Sequence, residues 1–407
     1  MSRATAVRIV SATQARWFAP GRSRTGVHVL ERRGARLGLV REVCDVACGD
    51  EELERRWRTD RPLILRGLLA PKLAKHRAAA LRSVAFFDRV RAGATLQDEV
   101  WKRLAGSREF EPAGASVDLG DTREIEKVFA HRRAVPGATG ASGTSAKRGQ
   151  PAKKSRRIAL DLYGKLCWIS VDERDVSLRV RFSFGSETLM EWFDDPTRAV
   201  HADAFAKAVF PECAVLDENR ELLELVTRLT GREIRLSERI VYNNAPGGGA
   251  IFHHDAEPWQ LGVVYGQLVG ETAWFALPKR ELAELVPAFA KTPRAKKSFG
   301  TPARALRALD REDADDLARV LNETPALARV LVERGHFFRL TAGDAILMPS
   351  HGLDDVCWHA VIALGKTPSL AHSYGIFSAR RRPDDPLAPK PTAGRASSPG
   401  GETRLST

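Results

Sequence analysis

A chain of 407 residues, 43% hydrophobic and 28% charged, has the length for one large domain or two ordinary ones and ample apolar surface for a core. Its formal net charge of +13 attracts polyanions, but much of the excess is local: Arg132, Arg133, Lys147, Arg148, Lys153, Lys154, Arg156 and Arg157 lie in a stretch without an acid. Five scattered cysteines, Cys44, Cys48, Cys167, Cys213 and Cys357, exclude a disulfide framework, and no apolar run is long enough to cross a bilayer, so a reducing cytoplasm is the expected setting.

Residues 1–50 mix short apolar runs with many arginines and read either as a small strand-containing extension or as a mobile arm. Residues 51–131 read as a mainly helical segment around one buried strand, RPLILRGLL at 61–69, with Pro71 opening the next helix. Residues 132–157 turn to Gly, Ala, Ser, Pro and Lys/Arg without apolar periodicity, the composition of a disordered linker or insertion loop. Their charge makes them a candidate for weak nucleic-acid contact; a linker that merely keeps the protein soluble is an equal reading.

From 158 to 380 the chain reads as one β-rich core. Strands are predicted at 166–171 and 177–185; in the second, Leu178, Val180, Phe182 and Phe184 share one face and Arg179, Arg181 and Ser183 the other, toward solvent or a cavity. Helices are predicted at 190–200 and 218–231, the latter stopped by Gly231. The run Gly247–Gly249 lacks the Lys-Ser/Thr of a phosphate loop and precedes a strand, so it reads as a mobile turn at the mouth of a site. The short turn from Val269 to Glu271 predicts antiparallel neighbours, and residues 279–335 form a helical insertion between strands. Strand, turn with Gly343 and Asp344, strand, and two further strands complete the core; residues 381–407 are expected to be a disordered tail.

The chemistry concentrates in IFHHD at 251–255. Along an extended strand alternate side chains share a face, which groups His253 with Asp255 and turns His254 away. A third ligand is offered by His359 in CWHAVIAL, with His351 in a loop and His372 in the last strand as competitors. Two histidines and one carboxylate with open positions form the facial triad of non-haem Fe(II) oxygenases, although Mn and Zn accept the same donors.

Around these residues stand an H-x-D followed by Q-x-x-G-x-x-x-W (His253, Asp255, Gln267, Gly270, Trp274) and a G-D turn, a proline and a histidine after tryptophan (Gly343, Asp344, Pro349, Trp358, His359). In these two motifs and in the strand at 61–69 the sequence resembles the JmjC/cupin-like family of Fe(II)- and 2-oxoglutarate-dependent oxygenases. The resemblance implies a mainly β fold with α, a cupin-type double-stranded β-helix (jelly roll) with surrounding helices. It implies Fe(II) held by His253, Asp255 and His359, 2-oxoglutarate as cosubstrate, and hydroxylation of a protein side chain or a small metabolite. The family's basic residue two positions beyond the motif glycine is replaced by Thr272. Thr272, Arg181 (or its neighbour Arg179) and Ser373 are the expected contacts to the cosubstrate, a guanidinium being well shaped for a carboxylate. Glu257, Trp259 and Gln260 are expected to border the pocket, and Trp274, Phe275, Trp358 and Phe377 either line it or belong to the core. Two other readings stand beside this one: a cupin-like protein that holds a metal or ligand without turnover, and a nucleic-acid-associated scaffold using the basic stretch.

Overall fold

The structure is a computed structural model and describes residues 17–20, 25–33, 35–42, 45–117, 123–133, 157–170, 172–185, 196–257, 259–311 and 314–379. One sheet of 11 strands runs in the order β4 (Asp45–Cys48), β1 (Trp17–Pro20), β5 (Leu63–Leu65), β14 (Ala345–Pro349), β11 (Gln260–Val269), β16 (Ser369–Ser378), β10 (Ile234–Asn244), β9 (Leu178–Phe184), β8 (Arg157–Trp168), β7 (Glu124–Arg133), β6 (Phe110–Ser116). A smaller sheet has the order β13 (Phe337–Thr341), β12 (Glu271–Pro278), β15 (Cys357–Leu364), and β2 (Thr25–Arg32) forms a hairpin with β3 (Ala35–Glu42). The pairs in all three are antiparallel.

The period of 2 along each strand decides what lies between the sheets. In β12, Trp274 and Ala276 point inward beside Tyr265 of β11 and Ile346 and Met348 of β14. Ala273, Phe275 and Leu277 point outward. The result is a jelly roll whose two sheets enclose a small aromatic interior. The outer face of the large sheet is covered by α1 (Asp50–Arg58), α2 (Ala70–Arg91), α3 (Leu96–Leu104), α4 (Pro196–Val209), α5 (Ala214–Asp217) and α6 (Arg220–Thr230). Phe86, Phe87, Phe205 and Phe210 are fully buried there, each contributing on the order of 1.5–3 kcal/mol by leaving water.

The outer face of the small sheet is covered by the insertion, α7 (Lys279–Leu285), α8 (Pro293–Phe299), α9 (Pro302–Leu309), α10 (Asp315–Glu323) and α11 (Pro325–Glu333). Local chemistry accounts for these short helices: Thr292 and Thr301 accept hydrogen bonds from Ala295 N and Arg304 N, and a proline follows each. As the sequence predicts, Gly231 ends α6 in the left-handed conformation. No helix among the described residues is long and apolar enough to cross a membrane.

Several local expectations change. The turn at Gly270 does not join paired neighbours: β11 pairs with β14 and β16, and β12 with β13 and β15. Gly270, at φ +73°, carries the chain from one sheet to the other, pressed against Ser369 where a Cβ would crowd. Residues 51–131 contain β6 and most of β7 besides helices. Arg132 and Arg133, read as the start of the basic linker, end β7 and pair with Glu109 and Glu111; residues 134–156 and 381–407 lie outside the described residues. The helix placed at 190–200 begins at Pro196 and runs on to Val209, while residues 190–195 also lie outside the described residues.

Candidate metal centre

Residues 247–253 run beside β15 as an irregular extra strand of the small sheet. Val361 N donates to Ala250 O at 2.9 Å, Ala363 N to Gly248 O at 2.8 Å, and His253 and His359 exchange N–H···O bonds of 3.0 and 2.9 Å. The three glycines answer the crowding here rather than mobility: a Cβ on Gly248 would collide with Asp175 and Ser177, and one on Gly249 with the Val361 carbonyl. Directly opposed residues of an antiparallel bridge project to the same face, so the two imidazoles meet with ring centres 4.2 Å apart. His359 shares the parity of Cys357 and Val361 in β15, which places it on the inner face.

Asp255 completes the group from an irregular stretch after His253, not from a continued strand. Its Oδ1 lies 3.2 Å from His253 Nε2 and its Oδ2 3.5 Å from His359 Nε2. One ligand atom from each residue falls within 4.8 Å of the others, a donor set of two imidazoles and a carboxylate that fits a divalent transition metal. His253 Nδ1 donates to Ile251 O at 2.7 Å, which directs Nε2 toward Asp255.

The electrostatics keep His359 and Asp255 in ligand form. Burial, then the neighbouring His253, push His359 down to about 3 against the opposing pull of Asp255, so its ring is neutral. Burial would lower His253 too, but Asp255 and the Ile251 carbonyl outweigh it and raise it. Burial would raise Asp255, yet the two histidines hold it well below the usual carboxylate range.

Behind the triad is a narrow cavity of ≈ 20 Å³, room for a water-sized body, lined by Tyr242, Asn244, Tyr265, Trp274 and Ser373 among others. Trp274 stacks on His359 at 5.5 Å, and Tyr265 meets Trp274 edge-on at 4.7 Å. Burial, with Tyr242 beside it, keeps the Tyr265 phenol protonated and therefore a donor.

The expected cosubstrate contacts separate. Ser373 lines the cavity. Thr272 does not: it is fully buried, its hydroxyl donating to Gln267 Oε1 at 2.8 Å and accepting from Trp274 Nε1 at 2.9 Å. Arg179 and Arg181 stand opposite Tyr242 and Ile240 on the neighbouring strand, outside the lining. The charge of Arg179 is felt at His253 and Asp255, that of Arg181 at Glu257.

Around the pocket, Gln260 braces its own loop through Glu257 N and Gly262 O, and Trp259 adopts φ +61°. Of the four aromatics, Trp274 faces the cavity; Phe275 and Trp358 join the insertion core and Phe377 the helical core. His254 turns away toward Trp358, as alternation predicts. His351 bonds Asp60 at 2.7 Å outside the site, and His372 faces the helical side next to Cys213 and Glu212. Tyr242, Asn244 and Tyr265 escaped the sequence reading, although Tyr265 stands two residues before Gln267, on the same face of a strand already identified.

No family model matches the chain, and no curated protein matches it. Solved structures are similar to it at low identity. Two of the ribosomal oxygenase YcfD from Escherichia coli are 14% and 13% identical, covering 86% and 82% of this chain at TM-scores of 0.24 and 0.25. An oxidoreductase of the 2OG-Fe(II) oxygenase family from Burkholderia pseudomallei is 11% identical, covering 81% of this chain and 91% of its own at a TM-score of 0.30. The chain spans 61% and 53% of the two YcfD chains.

Proposed function

We propose that this protein is an Fe(II)- and 2-oxoglutarate-dependent oxygenase that hydroxylates a protein side chain or a small metabolite. The observation that supports it is the meeting of His253, Asp255 and His359, from two separate parts of the chain, on the inner face of a jelly roll. Iron and 2-oxoglutarate would supply the oxidising chemistry there. The protein's own part is to present the neutral His359 imidazole, with His253, beside an ionised carboxylate, to back His359 with the Trp274 ring, and to offer donors from Tyr265, Asn244 and Ser373. Buried free cysteines, Cys48, Cys167, Cys213 and Cys357, suit a cytoplasmic setting. The test is bound-metal content and succinate release by the purified protein beside His253→Ala and His359→Ala. Turnover that persists in both variants would end the proposal.

A second reading, a cupin-like protein that binds metal or a small ligand without turnover, draws on two observations. Among the described residues no lysine or arginine lines the cavity, and the cavity as it stands is far smaller than a five-carbon dicarboxylate. Under the first reading, Fe(II) and 2-oxoglutarate mixed anaerobically with the protein give a weak visible charge-transfer band. Under the second they do not, and no succinate appears in air.

A further inference from the structure

The stretch carrying His253 has little regular structure, yet its backbone is held from outside the jelly roll by side chains from distant parts of the chain. We infer that Arg32, acting with Asn322, is a positioning residue for the metal centre, holding the separation of the two backbones that bear His253 and His359. This rests on the metal-binding reading above.

Arg32 ends β2 and is 5% exposed. Its hairpin is anchored by Leu30 and Leu37, which enter the insertion core together with Phe252. One guanidinium nitrogen, Nη1, donates to Ala250 O at 3.2 Å and the other, Nη2, to Val361 O at 3.3 Å. Ala250 lies on the segment leading to His253, and Val361 lies just past His359 on β15. A single planar fork thus spans both ligand-bearing backbones, reinforcing with a rigid side chain the backbone bonds that already join them.

Asn322, on α10, holds the same segment one residue before the ligand. Its Oδ1 accepts from Phe252 N at 2.9 Å and from Arg32 Nη1 at 3.5 Å. Next to them Arg33 donates to Gly249 O at 2.8 Å and to Asp175 at 3.0 Å, while Asp175 accepts from Gly249 N at 3.2 Å. The hairpin, the helical insertion and the loop before β9 therefore converge on a few residues of backbone.

Burying a guanidinium whose Nε has no partner carries a desolvation cost. No carboxylate bonds Arg32 in return among the described residues; its bonds run chiefly to the two strand carbonyls that flank the ligands. Groups that orient metal ligands from outside commonly cost about 10–100-fold in affinity when removed.

The experiment is titration of the full chain with Co(II), whose visible d–d spectrum reports ligand geometry, for the wild type, Arg32→Ala, Asn322→Ala, Asn322→Asp and, as an exposed control in the same hairpin, Arg36→Ala. The expected result is about 10–100-fold weaker Co(II) binding with an altered spectrum for Arg32→Ala and Asn322→Ala. Asn322→Asp, which keeps the acceptor, and Arg36→Ala should behave like the wild type. Should Arg32→Ala fail to fold, the Asn322 pair carries the test alone. A wild type that gives no Co(II) spectrum overturns the metal reading itself. Wild-type binding matched in affinity and spectrum by Arg32→Ala and Asn322→Ala, even with lowered melting temperatures, refutes the positioning role and leaves a plain structural brace.

Discussion

One histidine–carboxylate group lies inside the jelly roll and another on the helical side of its large sheet, and their differences separate a site from a scaffold. At the inner face two imidazoles share Asp255 and His359 is driven down to about 3. On the helical side His372 sits 3.5 Å from Glu212 and 3.4 Å from Cys213 Sγ. There burial would lower His372, but Cys213 and Glu212 raise it to about 9. Burial would likewise raise Glu212, but His372 and Ser83 hold it below the usual carboxylate range. The second group is a closed ion pair under α2, with the Phe210 ring against the imidazole. An imidazole kept neutral at a cavity is ready to bind a cation; one kept protonated in a sealed core is a structural charge.

The largest effect expected from this contrast is at the inner group. His359→Ala should lose bound metal outright while the chain still folds, since removing a buried, uncharged ring leaves no orphaned charge. Metal analysis together with a melting curve checks it; full metal occupancy in the variant would make the two groups equivalent and the contrast empty.

The outer group should respond in the opposite sense. Glu212→Ala leaves His372 buried without its counter-ion, and breaking such a pair costs about 3–5 kcal/mol. Urea unfolding should register that loss, while Co(II) affinity of the folded protein stays at the wild-type value. A fall in metal affinity equal to that of His359→Ala would show that the two groups are coupled through the sheet.

Much of this arrangement could be read from local pattern, and the exceptions share one cause. Alternation alone sorts Leu178, Val180, Phe182 and Phe184 from Arg179 and Arg181, because a strand needs only its own period, whereas Trp274 and Phe275 were separated only by the sheets on either side of them. The G-D turn was equally readable: Asp344 accepts from Thr341 N at 2.9 Å and Gly67 N at 2.9 Å, tying β14 to the strand at 63–65. What alternation does not reveal is which strand pairs with which. Gly270 looked like a hairpin turn until the partners of β11 and β12 were seen to differ. Tyr242 and Asn244 reach the cavity through the β10–β16 pairing, and Arg32 reaches the ligand backbones through a contact spanning 329 residues. Thr272 was placed correctly beside the motif glycine, but its hydroxyl is consumed by Gln267 and Trp274, a fact of side-chain packing.

A titration distinguishes the two histidine groups with a smaller effect. His372 holds its proton more tightly folded, at about 9, than unfolded, near about 6.5. Its contribution to stability is therefore complete below about pH 6.5 and is lost as the pH rises through about 9. Glu212, depressed on folding, contributes above its unfolded value of about 4.3 and loses that share as the pH falls. Wild-type stability from this pair should peak between those limits and decline toward pH 9. Glu212→Gln should flatten the alkaline decline; an unchanged slope would detach it from His372.

The smallest predicted effect is at Thr272, the residue standing where the oxygenase family that the sequence resembles carries a basic side chain. Thr272→Val keeps the shape and removes the hydroxyl, leaving Trp274 Nε1 and Gln267 Oε1 short of one partner each in a fully buried setting. An unsatisfied buried polar group costs roughly 1–3 kcal/mol, and Gln267 Oε1 still accepts from the Tyr265 hydroxyl at 3.4 Å, which places this variant toward the lower end. If Thr272 only braces Trp274 behind His359, stability drops slightly and the Michaelis constant for 2-oxoglutarate does not move. A Michaelis constant raised tenfold with stability intact would instead return Thr272 to the cosubstrate, and would mean that the cavity opens toward β12 when it is filled.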